Sequence, residues 1–266
     1  MNWYSTGYGG VAKEEQRIQS SQGPSRFWMP AGASKDIVLV DDDPFCVNEH
    51  NAKINNNWRN HHTCNKGLEE TCFSCTHLGE KSKAFTGYLT MVDCSLWEDK
   101  KGNKYQYELK LIGAKLGLLK KWERKKKEKT SLVLSRWKVH REDDKKASTG
   151  DEWESMGVVE KPDKLFELAN YRGKKLPEWW ALAESKADIM AYVKHTFQVE
   201  VGEDGKLVRE IPIFNYMELL APRGNAWAKD LMSGTTREEA MPEFGAAPAG
   251  ASDTNGGIGA EDDVPF

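Results

Sequence analysis

The sequence predicts a β-rich α+β protein, and three observations carry that expectation. Short runs of β-branched and aromatic residues recur between residues 36 and 159, with one strongly basic helical run among them. Between two of these runs lies HNAKINNNWRNHHTCNKGLEETCFSC, residues 50–75, which concentrates histidine and cysteine. From residue 162 the apolar spacing changes from two towards four, and residues 245–260 are low-complexity Gly/Ala/Ser.

Residues 1–25 are polar and read as a flexible arm, with one helical turn over residues 12–20. In Arg26-Phe27-Trp28-Met29-Pro30 the two aromatics plug the edge of a core. DIVLV, residues 36–40, is a buried strand. Asp41-Asp42-Asp43-Pro44 is a solvated turn, because the proline marks loop geometry, and residues 45–49 begin a second strand. AFTGYLTMVDC, residues 84–94, is a long strand around Tyr88, and residues 97–103, from Trp97 through Lys101, form a turn.

KYQYELKLI, residues 104–112, alternates. Tyr105, Tyr107, Leu109 and Leu111 face one way, and Lys104, Gln106, Glu108 and Lys110 the other. The two tyrosines admit two roles, core residues or base-stacking platforms. AKLGLLKKWERKKKEK, residues 114–129, is a helix with Leu116, Leu118, Leu119 and Trp122 on its apolar side. Its Lys120, Lys121 and Arg124 belong to a run too one-signed for i,i+4 pairs to neutralise, which leaves a phosphate-facing role open. SLVLSRWKV, residues 131–139, is another strand, with Arg136, Trp137 and Lys138 adjacent, and residues 153–159 are the last. About five strands, with a helix after the third long one, fit an OB-fold, a small Greek-key barrel that binds oligonucleotides.

Beyond residue 162, helices are expected over residues 163–170, 177–190, 216–220 and 225–232, with a hairpin of residues 192–201 and 206–213. The boundaries are therefore an arm (1–25), the barrel with its metal segment (26–160, the insertion at about 46–80), an α/β extension (161–244), and a disordered linker with an acidic tip (245–266).

Charge is uneven. The 266 residues carry a net −3. Residues 229–266 hold two basic and eight acidic side chains, so residues 1–228 are net +3. Residues 100–146 hold 17 basic and 6 acidic ones. A basic body with an acidic tail suggests a polyanionic partner. MNWYSTGYGGVAKEEQRIQS has no signal-peptide core, and five cysteines is an odd count, so the expectation is a reducing cytosol without disulfides. No apolar run approaches the roughly 20 residues of a membrane span.

In residues 50–75, Cys72 and Cys75 form a CxxC pair, Cys64 lies eight residues upstream, and His50 precedes them. One histidine and three thiolates suit a closed tetrahedral zinc site, structural because no position stays open for water. Binding would lend folding energy to a loop with little core. From the residues alone, His61, His62 and His77 remain alternative nitrogen ligands. Trp58 and Arg59, inside this segment, admit two roles, stacking on a base or covering the metal. Cys46 and Cys94 lie in apolar runs and read as packed free thiols.

The order and spacing of His50, Cys64, Cys72 and Cys75 resemble the zinc subdomain of the helix-destabilising single-stranded DNA-binding proteins of T-even-like tailed phages. The run RFWMPAG…IVLVDDDPF…EHNAKINNNWRNHHTC resembles phage single-stranded DNA-binding proteins more widely. The tip Glu261, Asp262, Asp263, Val264, Pro265 and Phe266 is similar to the acidic tip of bacterial single-stranded DNA-binding proteins, which recruits replication and repair enzymes. The resemblance covers about residues 26–160 and 259–266, and the gap between Cys64 and Cys72 is slightly shorter than in the T-even pattern.

What the resemblance implies is a protein without enzymatic activity. It coats single-stranded DNA in phage replication, recombination and repair, in the cytoplasm of an infected host. It implies self-association on DNA and His50 as the fourth zinc ligand. The DNA contacts expected on it are Trp58, Arg59, Tyr88, Trp97, Lys101, Tyr105, Tyr107, Lys110, Lys120, Lys121, Arg124, Arg136, Trp137 and Lys138, the aromatics stacking and the cations pairing with phosphates. Two other classes stand beside it. One is a zinc-ribbon accessory of a primase or nuclease, which needs carboxylates placed for magnesium. The other is a zinc-dependent regulator that binds duplex.

Overall fold

The computed structural model describes residues 25–54, 57–79, 82–98, 102 and 104–233. The expected arm (but for Ser25), the linker and the acidic tip lie outside them. The strands are β1 (Ser34–Leu39), β2 (Phe45–Ile54), β3 (Asn57–Thr63), β4 (Ala84–Asp93), β5 (Trp97–Glu98), β6 (Lys104–Tyr105), β7 (Glu108–Ala114), β8 (Ser135–His140), β9 (Glu152–Val158), β10 (Asn170–Tyr171), β11 (Lys174–Lys175), β12 (Phe197–Gln198) and β13 (Ile213–Phe214). The helices are α1 (Phe73–Leu78), α2 (Leu116–Lys129), α3 (Pro162–Leu168), α4 (Leu176–Ser185), α5 (Ala187–Thr196), α6 (Tyr216–Leu219) and α7 (Gly224–Ser233).

The fold is mixed α+β around one large, mostly antiparallel sheet ordered β11-β10-β7-β4-β1-β8-β9. β4 is its axis. Along one side it pairs with β7 from Gly87 to Asp93. Along the other it pairs with β2 near its start and with β1 near its end. The turn between β1 and β2 interrupts that ladder, and the Asp41 carboxylate fills the gap by accepting the Thr90 N–H at 3.0 Å.

Alternation along the strands sorts their side chains to two faces. Ile37, Leu39, Leu89, Met91, Ile112, Trp137 and Val139 meet Leu119 and Trp122 of α2 on one face. Val38, Val40, Tyr88, Val92, Leu109 and Leu111 meet Phe166, Trp180, Phe197 and Phe214 of the C-terminal segment on the other. The segment expected as an extension thus shares a core with the sheet.

The sheet does not close into the expected barrel. β9 ends it on one side. On the other, β10 takes the edge of β7 in a parallel pair at Asn170 and Glu108, where Asn170 donates its N–H to Tyr107 O at 2.8 Å and its amide to Gln106 O at 2.6 Å. Two further expectations are corrected. Residues 192–196 belong to α5 rather than a hairpin strand, because Ile189, Val193 and Thr196 form one buried stripe. The metal segment is mainly an antiparallel hairpin, β2–β3, rather than a loop.

Candidate metal centre

The hairpin places His50 opposite His62 and Glu49 opposite Thr63. Cys64 follows at once, its N–H held by Asn48 O at 2.7 Å. After a turn, Cys72 caps α1 and Cys75 lies in its first turn, three residues on and therefore on the same side. The four ligand atoms of His50, Cys64, Cys72 and Cys75 lie within 4.8 Å of one another, and all four residues are buried. Cys64 Sγ is 3.6 Å from Cys75 Sγ. His50 Nε2 is 3.6 Å from Cys72 Sγ and 3.5 Å from Cys75 Sγ. A tetrahedron with zinc–sulfur bonds near 2.3 Å and a zinc–nitrogen bond near 2.0 Å has edges of about 3.8 Å and about 3.5 Å. The cluster can therefore hold a metal ion such as zinc.

Hydrogen bonds fix the histidine's tautomer. Ser82 Oγ donates to Gly79 O at 2.6 Å, so at 3.0 Å from His50 Nδ1 it accepts the ring proton. That leaves the Nε2 lone pair aimed at the sulfurs, the orientation that a ligating imidazole needs. Among the sulfurs, burial pushes Cys75 up to about 12, helped by the neighbouring Cys64 and Cys72. Burial also opposes ionisation of Cys72, but N–H bonds from Cys75 and Asn65 outweigh it and its thiol is lowered.

The other histidines are engaged elsewhere. His62 Nε2 meets Ser74 Oγ at 2.7 Å, and the ring stacks on His50 at 5.5 Å. His61 Nδ1 lies 3.6 Å from Glu49. His77 stacks on Phe73. The residues alone leave these alternatives open, and in the fold it is the His50 ring nitrogen that lies among the sulfurs.

The expected nucleic-acid contacts divide. Three are inside. Tyr88 is 1% exposed and donates to Glu49, with Arg26 bonded to its hydroxyl and lying over its ring. Trp137 is 2% exposed, its Nε1 donating to Ser135 Oγ at 2.7 Å. Lys110 is buried between Asp93 at 3.1 Å and Glu108 at 3.0 Å. None of the three offers a surface in this conformation. Alternation sets Lys110 opposite Leu109 and Leu111, and it lies there, but buried and paired with Asp93 of the adjacent strand.

On the surface, Lys120, Lys121 and Arg124 are exposed on α2, with Lys121 reaching Asp151 O at 3.2 Å. Arg136 and Lys138 are exposed on β8, alternating with buried neighbours, so they point to the face opposite α2. Arg136 pairs with Asp36 at 2.7 Å and lies within electrostatic range of Tyr107. Tyr105 and Tyr107 are half-buried, and Tyr107 sits at φ 59° and packs against the C-terminal core. Trp58 and Arg59 fall on β3 and Trp97 on β5, but their side chains, like Lys101 as a whole, lie outside the described residues.

One cluster carried no sequence signal. Glu49, 5% exposed, gathers Arg26 at 3.3 Å, Lys115 at 3.5 Å and His61 at 3.6 Å at the base of the metal hairpin. Its partners lie up to 66 positions from it in sequence, and several pairings unite them: β2–β3 for His61, β2–β4–β7 for Lys115, and the Arg26–Leu111 bridge for Arg26. The acidic turn is equally engaged. Tyr216 Oη donates to Asp41 at 2.5 Å, and Lys126 bridges Asp42 and Asp43 at 3.1 and 2.5 Å. No helix among the described residues is long and apolar enough to cross a membrane. No protein-family model, curated protein or solved structure matches the chain.

Proposed function

We propose that the chain is a single-stranded DNA-binding protein of the tailed-phage kind, with an OB-type sheet and a structural zinc ion on His50, Cys64, Cys72 and Cys75. The observation that carries this reading is the pairing order β7-β4-β1-β8-β9 with α2 inserted between β7 and β8. It is the order of a five-stranded, partly open Greek-key barrel, lacking only the pairing of β9 with β7, whose edge β10 occupies. Zinc is supported by three sulfurs and one nitrogen at tetrahedral separations and by a ring tautomer that turns the Nε2 lone pair to the sulfurs.

The contact surface we assign combines exposed cations with candidate aromatics. Lys120, Lys121, Arg124, Arg136 and Lys138 pair with phosphates, while Tyr105 and Tyr107 offer faces to bases, and Trp58 and Trp97 remain assigned from the sequence. Stacking of this kind contributes about 1–3 kcal/mol per base and tolerates any sequence. In this reading, Glu261 to Phe266 recruit replication and recombination proteins, with charge acting at range and the terminal Phe266 ring entering a pocket. No catalytic step is part of it. The carboxylates of Asp41, Asp42 and Asp43 are turned to Tyr216 and Lys126, and Glu142 to Lys146 at 3.3 Å, rather than towards a shared cation.

The test is a tryptophan-fluorescence titration with oligo-dT and a matched duplex at two salt concentrations. Tight, salt-sensitive quenching selective for the single strand is the expected result. Equal binding to duplex favours the second reading, a zinc-dependent duplex regulator. That reading draws on α2, 14 residues carrying seven cations and two carboxylates, a helix of a size the major groove admits.

A further inference from the structure

Between Cys64 and Cys72 the chain has no helix or long strand of its own, and the two cysteines clamp its ends. This loop and its flanks hold the start of α7. Asn225 is the keystone. Its Oδ1 accepts the Phe73 N–H at 2.6 Å and the Asn65 amide at 3.2 Å. Its Nδ2 donates to Thr71 O at 2.7 Å and to the Glu69 carboxylate. Its N–H donates to Glu69 Oε1 at 2.9 Å, and the Gly224 N–H to Asn65 Oδ1 at 3.3 Å. Thr63 Oγ1 donates to Leu220 O at 2.6 Å just ahead of the helix. Trp227 packs edge-on to His62, which stacks on the ligand His50.

All these partners but Glu69 flank or touch a candidate ligand. Thr63 and Asn65 bracket Cys64, and Thr71 and Phe73 bracket Cys72. α7 has little else to hold it, since Ala228 is its one buried residue. Its docking therefore depends on the shape of a loop that four ligands define. Without the ion, the loop regains the entropy of an open segment and the bonds to Asn225 lose their common geometry.

We propose that metal occupancy governs the docking of α7, so that the centre latches the C-terminal helix to the β2–β3 hairpin. The proposal rests on the metal reading of the cluster and not on the DNA reading. Since residues 234–266 follow α7 and carry the acidic segment, the latch fixes the point from which that segment continues. Asn225 is a positioning residue here, because it ligates nothing itself.

The experiment is hydrogen exchange read by mass spectrometry on the full chain, with bound metal assayed in parallel. Removing zinc with a chelator should speed exchange of residues 224–233 at least tenfold while β4 and β7 stay protected, and added zinc should restore it. Asn225→Ala should retain one zinc ion per chain yet exchange residues 224–233 like the metal-free chain. Protection of α7 unchanged after zinc removal, or unchanged in zinc-loaded Asn225→Ala, overturns the latch. A chain that binds no metal overturns the metal reading itself. Should chelation loosen the whole sheet, the Asn225→Ala comparison decides.

Discussion

Asp41 is a carboxylate placed where a ladder bond should be. It is 6% exposed and accepts bonds from Tyr216 Oη and the Thr90 N–H, yet burial still raises it to about 7 against those bonds. Its folded value is above its unfolded value of 3.8, so between these two the folded chain holds a proton that the unfolded chain has lost. Stability contributed by this group is therefore full below about pH 4, falls as pH rises towards 7, and is flat beyond. Asp41→Asn should flatten that window, at up to about 1.4 kcal/mol per pH unit, in urea unfolding at pH 4.5, 5.5, 6.5 and 7.5. Parallel curves for the two chains would refute the assignment. Glu49 has the opposite sign. Burial works to raise it, but His61, Arg26 and Tyr88 outweigh burial and hold it well below the usual carboxylate range.

Two aromatics separate packing from binding at the same scale. Trp137→Ala removes a buried ring and should cost about 3–5 kcal/mol of stability. Tyr107→Ala removes a half-buried one and should weaken oligo-dT by about 1–3 kcal/mol, with a smaller loss of stability than Trp137→Ala. Urea unfolding and the dT titration, run on both variants, check this. A Tyr107→Ala chain that binds dT normally removes Tyr107 from the contact surface.

At the scale of elements, the β2–β3 hairpin depends most on something other than apolar burial. Beyond its pairing with β4, its order rests on Glu49 with its cations and on the metal cluster. We expect one zinc ion per chain, and we expect Cys72→Ser to lower zinc affinity at least about a hundredfold, since changes even outside the ligand set cost 10–100-fold. Competition with a chromogenic chelator measures both. This hairpin also shows why some elements were legible in the sequence and others were not. α2 was legible, because Leu118, Leu119 and Trp122 make a helical stripe against one-signed charge. β8 was too, because its side chains alternate buried and exposed. NNNWRNHHT has neither signal and reads as a loop, whereas the type and spacing of His50, Cys64, Cys72 and Cys75 mark the four residues that the fold gathers into one cluster. β10 is two residues long and owes its place to Asn170, far from β7 in sequence. Lys110 lies on the side that alternation gives it, opposite Leu109 and Leu111, but its burial was not legible because its partner Asp93 is a neighbour only once β4 and β7 pair.

For the whole molecule, the proposed reading turns on where a strand of DNA would lie. The C-terminal segment packs over Val38, Tyr88, Val92 and Leu111, so the middle of that sheet face is closed to it. The exposed cations lie off this covered centre on both faces, Arg136 and Lys138 on β8 and Lys120, Lys121 and Arg124 on α2 across the sheet, so a strand meeting both sets would follow the sheet's rim. A path along such a rim is dominated by phosphates, so its affinity should fall steeply with salt, and any other polyanion should compete for it. The chain supplies one itself. Residues 229–266 are net −6 while residues 1–228 are net +3. The acidic tip should therefore occupy part of the rim when DNA is absent. Deleting residues 259–266 removes three carboxylates and should tighten oligo-dT binding several-fold at low salt, with the difference shrinking as the Debye length falls to about 8 Å at physiological ionic strength. Titrations of the full and shortened chains at two salt concentrations measure it. Equal affinities at low salt would show that the tip does not compete for the rim. A gain that persists undiminished at high salt would mean that the tip blocks DNA by its apolar end, Val264 to Phe266, rather than by charge.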